Sequence, residues 1–416
     1  MSSEMLLPTT FPSIEPAAPG HWLVSADQQQ WMHSVLQRVS YYVPVLRWLP
    51  RYALSELSHD VAAGLTVSFV IIPQGLSYAQ ALVNVPPVFG LYTAIVGAVC
   101  YALLGTSRQM AVGPEALVSI MVGAAVTEFT AWRDGTSAHV LPMLNVQATA
   151  LLCLMIGIFT FVLGFFRLGF LDSVLSRALL RGFVLAVAVV VIIDMSDALL
   201  GLTAPQGQCS QPPALPTFPE LPLGTSPFLH LLTVLENLHL AHFLTTATSV
   251  LSISLLFAAK HLKTLYKHLK WVQVVPEILL LVAISTALTR IFRWDCDGLA
   301  ILGKVTTDTS GYDVFPLPTL AKIKHLTLSA VLISIIGFVE SIAVAKLYAA
   351  KHDYVVSPNR ELVAMGTANI VSSFFGCFPA FGFFCIIKAR WAGPQSTILR
   401  VQKHSLLDWS WLVSFF

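Results

Sequence analysis

The chain has 416 residues, 56% of them apolar and only 11% charged, with a formal net charge of +2 and a mean hydropathy of +0.73. A soluble domain carries about 25% charged residues, so a chain this apolar cannot cover its own surface in water, and lipid must be its solvent. That excludes a soluble enzyme and a disordered regulator, and the absence of a basic excess excludes a nucleic-acid binder.

Residues 1–58 are predicted to form a cytosolic amino-terminal arm. Its first 30 residues are Pro-, Ser- and Gln-rich, read as disordered, and lack the basic start and apolar run of a signal peptide. Residues 31–58 carry spaced aromatic residues with Arg38, Arg47 and Arg51, the pattern of an amphipathic approach to a membrane surface. Between Asp60 and Arg108 no Asp, Glu, Lys or Arg occurs, which leaves room for two spans at about 20 residues each. Asn84, Pro86 and Pro87 place the turn between them. Further apolar segments lie at 113–128, 145–166, 174–201, 242–259, 271–291, 327–347 and 361–377, about nine segments in all. The third and the ninth are short and bordered by Gly and Pro, as half-helices that stop at mid-membrane are. The expected fold class is thus an all-α polytopic membrane protein.

Charge asymmetry orients the segments. The connection 201–241 has no Lys or Arg and reads as outside, whereas Lys260, Lys263, Lys267 and Lys270 mark the next connection as inside. Arg167, Arg177, Arg181, Lys346, Lys351 and Arg360 agree with a cytosolic amino terminus; Arg290 and Arg293 fall outside.

Four places carry polar chemistry at membrane depth. In Pro73-Gln74-Gly75-Leu76-Ser77-Tyr78, Gln74 and Tyr78 share one helix face beside a Pro-Gly break. They either line a small polar cavity or bond to neighbouring helices across a kink. Gly113, Pro114, Glu115 and Ala116 open the third segment as a helix start. A helix starting inside the membrane aims unpaired amides and a positive dipole end at an anion. Glu115 competes for those amides, and the plainer alternative is an ordinary capped span. Glu340 is a carboxyl at mid-span, costly unless it does something. It either carries a proton with a substrate or bonds to a neighbouring helix. Gly337, Ser341 and Ala345 form a small-residue stripe beside it, suited to close packing. Arg108 either attracts an anion or is a loop charge. Asp194 and Asp197 read as the outer end of the fifth span, and Cys209 and Cys296 fall on outside connections. No cofactor, metal-ligand spacing, phosphate loop or nucleophile–base pair is evident, so neither an ATP motor nor an enzyme is expected.

In chain order these residues resemble the sulfate permease (SulP) family of anion transporters. The resemblance runs from Pro44-Val45-Leu46-Arg47-Trp48-Leu49-Pro50 through Pro73–Ala79, Val85–Tyr92, Gly105–Arg108 and Val112–Pro114. It continues in Gly337–Ser341, Asn359–Leu362 and Gly376–Gly382. It implies two inverted repeats of seven segments, with an anion held between the facing half-helices of segments three and ten. It also implies an elevator-like motion of a core domain against a gate domain. Under it, Gln74, Tyr78, Gly113, Pro114, Glu115 and Ala116 bind the anion, and Glu340 matches the acidic position linked to proton coupling.

After Gly382 the family-like pattern stops. The expected organisation is the arm 1–58, an incomplete transporter domain 59–382 and an aberrant tail 383–416. The domain then holds the first repeat and two segments of the second, without the STAS domain, and the chain is expected not to transport alone. The expected function is secondary transport of sulfate or a related inorganic anion, coupled to protons. The alternatives are a chloride/bicarbonate-type exchanger and a fragment that only associates with full-length copies. Expected partners are the anion, a proton, the lipid bilayer and a second copy in a homodimer, with no nucleic acid. The expected location is the plasma membrane.

Overall fold

The computed structural model describes residues 39, 41–52, 54–107, 110–132, 141–170, 177–202, 227–266, 277–294, 297–299, 301, 305, 320–351 and 354–383. Arg108, Cys209, Cys296, most of the amino-terminal arm and the tail from 384 onward lie outside the described residues. Ten longer helices carry the fold: α1 (Leu54–Ala81), α2 (Pro87–Leu104), α3 (Ala116–Trp132), α4 (Leu141–Phe165) and α5 (Arg177–Leu200). After these come α6 (Pro227–Glu236), α7 (Phe243–Leu265), α8 (Glu277–Phe292), α9 (Leu320–Lys351) and α10 (Pro358–Ser373). Two three-residue strands, β1 (Ala111–Gly113) and β2 (Phe381–Phe383), a four-residue helix (Val45–Trp48) and three short 3-10 turns complete the described elements. Among the described residues, four helices are long and apolar enough to cross a membrane, along Pro87–Leu104, Met143–Phe165, Phe243–Leu265 and Ile323–Ala350.

The first two helices follow from a charge-free stretch broken once. Pro86 and Pro87 cannot continue a helix from its interior, and Asn84 turns the chain at φ 58°. Asn145 Nδ2 of α4 holds that turn by donating to the Asn84 carbonyl at 3.0 Å. The α1–α2 contact is set by two glycines. A Cβ on Gly90 would lie 2.0 Å from the Gly75 carbonyl oxygen, so both positions must lack a side chain.

The third segment differs from its expected form. A helix start was anticipated at Gly113, but Ala111–Gly113 is extended and the helix begins at Ala116. Pro114 supplies no amide to a ladder. The preceding residues instead find their partners across the molecule, where β1 pairs antiparallel with β2, Ala111 opposite Phe383 and Gly113 opposite Phe381. Backbone at membrane depth must be satisfied within the protein, and this ribbon does so for two non-helical stretches at once. The ninth segment likewise ends as helix at Ser373, followed by turn and irregular backbone into β2. The order helix–helix–strand therefore occurs twice, as α1–α2–β1 and α9–α10–β2, and the two strands are each other's partners.

The packed core is built from α2, α3, α4, α9 and α10, with Phe89, Phe129, Leu152, Ile156, Ile333, Phe338, Leu362 and Met365 fully buried. The largest helix–helix contact is between α4 and α10. By contrast, α8 has no buried residue among those described and α7 only Thr245. Their faces carry exposed Phe243, Leu251, Phe257, Ile284 and Ile291, the chemistry of a lipid-facing surface. Lys263 of α7 pairs with Glu277 at the start of α8. After α5, α6 docks His230 between Asp194 and Asp197 of α5, which does more than cap a span end: Nδ1 lies 3.1 Å from Asp194 and Nε2 2.7 Å from Asp197.

Candidate functional site

The α1, β1, α3 and α9 segments converge where the ribbon meets the start of α3. Gln74 reaches from α1 and donates Nε2 to the Pro114 carbonyl at 3.1 Å. Its side chain also bonds with the buried Tyr78 one turn on. Gln74 and Tyr78 thus share the face expected for them, and that face meets the bend between β1 and α3. Gly113, Pro114 and Ala116 are buried in this bend.

Glu115 faces the start of its own helix. Its carboxylate accepts the Leu117 amide at 2.9 Å and the Val118 amide at 2.8 Å. The amides expected to be open to an anion are therefore capped, by the residue that the sequence marked as their competitor. The capping has a simple cause. These are the orphan donors of a helix end, and they are buried where water cannot reach them.

Glu340 comes from α9, is 7% exposed, and is in hydrogen-bonding contact with the Glu115 carboxyl. Its Oε2 is buried with no hydrogen-bond partner. Carboxyls at membrane depth are a functional hypothesis by default, and here two of them meet at a helix start.

The polar residues that hold β2 were not singled out as such in the sequence. Asn369 of α10 donates Nδ2 to the Ala380 carbonyl at 3.1 Å and accepts the Ala380 amide at 2.8 Å. Thr93 of α2 accepts the Phe378 amide at 3.2 Å. Ser341, read from sequence as a packing residue, accepts the Gly382 amide at 2.8 Å. Glu361, fully buried, accepts from Tyr101 Oη at 2.7 Å, from the Thr106 amide at 3.0 Å and from the Thr106 hydroxyl. It ties α10 to the stretch leading into β1. Glu361 and Asn369 are polar groups in a buried helix, the same signal that marked Glu340.

The sulfate permease family profile matches residues 57–386. The chain belongs to the sulfate permease family. Among curated relatives, it is 29% identical over 370 residues to a probable sulfate permease of Schizosaccharomyces pombe, covering 88% of this chain and 53% of the relative. It is 31% identical over 353 residues to probable sulfate transporter 3.3 of Arabidopsis thaliana, covering 84% and 52%. The chain spans about half the length of the curated relatives it matches. The solved structure of SLC26A9 superposes with a TM-score of 0.71 at 23% identity, covering 98% of this chain and 60% of that one. That likeness shows the fold, a multi-pass all-α membrane domain.

Proposed function

We propose that this protein moves an inorganic anion, sulfate first, across a membrane by secondary transport coupled to protons. The observation that carries the reading is the meeting of Glu115 and Glu340 at the amide end of α3, beside Gln74 and Tyr78. A helix end at membrane depth favours an anion, and paired carboxyls give a proton a place to ride with it. Sulfate is the anion in the names of the curated relatives. Within the site, Gln74 and Tyr78 orient the bend, Gly113, Pro114 and Ala116 form its backbone, and Glu340, in contact with Glu115, couples the site to the proton.

An elevator-like motion has physical support in the packing. The α2, α4, α9 and α10 helices form one tightly packed body with the ribbon, whereas α5 to α8 bury little of themselves and touch one another more than that body. The charge pattern favours a cytosolic amino terminus, since Lys260, Lys263, Lys267 and Lys270 cluster in one connection and 201–241 holds no cation. The plasma membrane is the proposed location.

The test is radiolabelled sulfate uptake at acidic and at neutral external pH, by proteoliposomes holding the 416-residue chain and, side by side, by proteoliposomes holding a full-length version of it. Uptake that rises at acid pH, and loses this rise in Glu340→Gln, is the expected result. Uptake equal to that of empty liposomes at both pH values would refute transport by this chain. Uptake whose pH dependence survives Glu340→Gln would refute the coupling role while leaving transport intact.

A further inference from the structure

We propose that Glu115 is a resident anion of the binding site, and that one proton taken up by the Glu115–Glu340 pair vacates the α3 amides for the transported anion. The proposal rests on the anion-transport reading of the same site and says how its proton and its anion exchange places.

Three observations carry it. First, the amides that make the start of α3 attractive to an anion already hold one. Both Glu115 oxygens are used, one on Leu117 and one on Val118. An external oxyanion can bind there only if this carboxylate leaves. Second, the backbone around it is pinned, so leaving is a side-chain motion. Gln74 holds the Pro114 carbonyl, Ser119 donates its hydroxyl to the Glu115 carbonyl, and β1 is paired to β2. Third, a place is waiting for the departing group. Glu340 Oε2 is buried and has no partner. A protonated Glu115 that turns from the amides can donate its O–H to that oxygen.

The proton decides which arrangement wins. While Glu115 is ionised its hydrogen bonds to the amides are charge-assisted, and a neutral acid forms weaker ones. Protonation thus weakens the cap and supplies the donor that Glu340 Oε2 lacks. The proton comes from water, and the one negative charge it removes from Glu115 offsets one of the two that sulfate brings. Among the described residues, the titratable group that faces the pair besides the two carboxyls is Tyr78 of α1. The ribbon side brings Phe381, Gly382 and Phe383, none of which titrates. An oxyanion such as sulfate, with adjacent oxygens to span two successive amides, is the chemistry that fits.

The experiment is equilibrium binding of radiolabelled sulfate to the purified full chain in lipid nanodiscs, across a pH series. One proton per anion makes the wild-type dissociation constant rise by about tenfold per pH unit above the titration of the pair. In Glu115→Gln the site is permanently vacated, so affinity should be high and should vary less than about twofold with pH. Glu115→Asp keeps a carboxylate and should keep the pH dependence, which preserves the test if the Gln protein folds poorly. Glu115→Gln with wild-type pH dependence, or folded Glu115→Gln without sulfate binding, overturns the proposal. So does a Glu115→Asp protein that binds sulfate independently of pH. Absence of sulfate binding by wild type and all variants overturns the anion reading of the site, and this proposal with it.

Discussion

Asn369 and Ala380 exchange two hydrogen bonds, the side-chain amide of one matching the backbone amide of the other at 3.1 and 2.8 Å. The Asn369 side chain thus does for Ala380 what a neighbouring strand does for a strand residue. It does so one residue before β2, where the chain has left α10 and has no helical ladder. Buried backbone groups without partners are costly in the absence of water. Replacing Asn369 by Leu leaves both Ala380 groups bare, at about 1–3 kcal/mol each. The expected outcome is a clear fall in the unfolding temperature of the detergent-solubilised protein. An unchanged temperature would mean that β2 is held well enough without this clamp.

Much of this arrangement was readable beforehand, and the part that was not has a physical reason. The spans followed from charge-free stretches, since every charge at membrane depth is expensive. Gly113 and Pro114 announced a break, as did Pro379 and Gly382. What those breaks became could not be read locally. Strands of three residues have no period, and β1 and β2 are far apart in sequence, so nothing near either one points to the other. The same holds for Thr93 and Asn369, whose partners lie on the irregular stretch before β2. Glu115 was legible as a competitor for the helix amides because sequence neighbours determine that contact. Its meeting with Glu340 was not, because it depends on how α9 packs.

Gln74 connects the candidate site to α1 through the Pro114 carbonyl and through Tyr78. Gln74→Ala removes both bonds and frees the bend that presents Glu115 and Ala116. Losing about 1.4 kcal/mol of positioning is a tenfold effect. Sulfate affinity is therefore expected to fall about tenfold in Gln74→Ala, and by less in Tyr78→Phe, which keeps the ring and loses only the hydroxyl. Folded yield should change little, because Gln74 is only half-buried. Normal sulfate affinity in the Gln74→Ala protein would reduce these residues to helix packing.

His230 gives the α5–α6 contact a pH dependence whose sign can be worked out. Burial by itself lowers its pKa, but the hydrogen bonds and charges of Asp197 and then Asp194 outweigh this and raise it above the ordinary 6.5. A folded-state value above the unfolded one means that the contribution to stability is fully present at acid pH. It is lost as pH rises through the raised value. Between about pH 6 and about pH 8 the unfolding temperature of the wild type should decline, and His230→Asn should lose that component. At the acid end the Asn variant should be the less stable, since charge-assisted hydrogen bonds contribute about 1.5–3 kcal/mol. A parallel decline in both proteins would mean that the bridge between α5 and α6 is not charged in the folded protein.

Gly337 tests whether the packing of α9 sets the ribbon. A Cβ at this position would lie 2.6 to 2.7 Å from three atoms of the Phe381 ring. Phe381 is fully buried, and its backbone is opposite Gly113 in the register. The ring cannot step aside without moving β2 and, through the pairing, the bend that carries Glu115. Ser341 lies one turn further along α9 and holds the Gly382 amide, so the same face fixes the ribbon twice. Gly337→Ala is expected to destabilise the protein by about 1–3 kcal/mol, the usual cost of overpacking a filled core. It should also weaken sulfate binding in the protein that remains folded. Gly64→Ala is the matched control on α1, with nothing within 4 Å of the added carbon. There the substitution should be neutral or stabilising by up to about 1 kcal/mol through helix propensity. Unfolding temperatures and sulfate affinities of the two variants, measured side by side, separate contact with Phe381 from a general effect of removing glycine. Equal behaviour of the two variants would show that the ribbon tolerates displacement from α9.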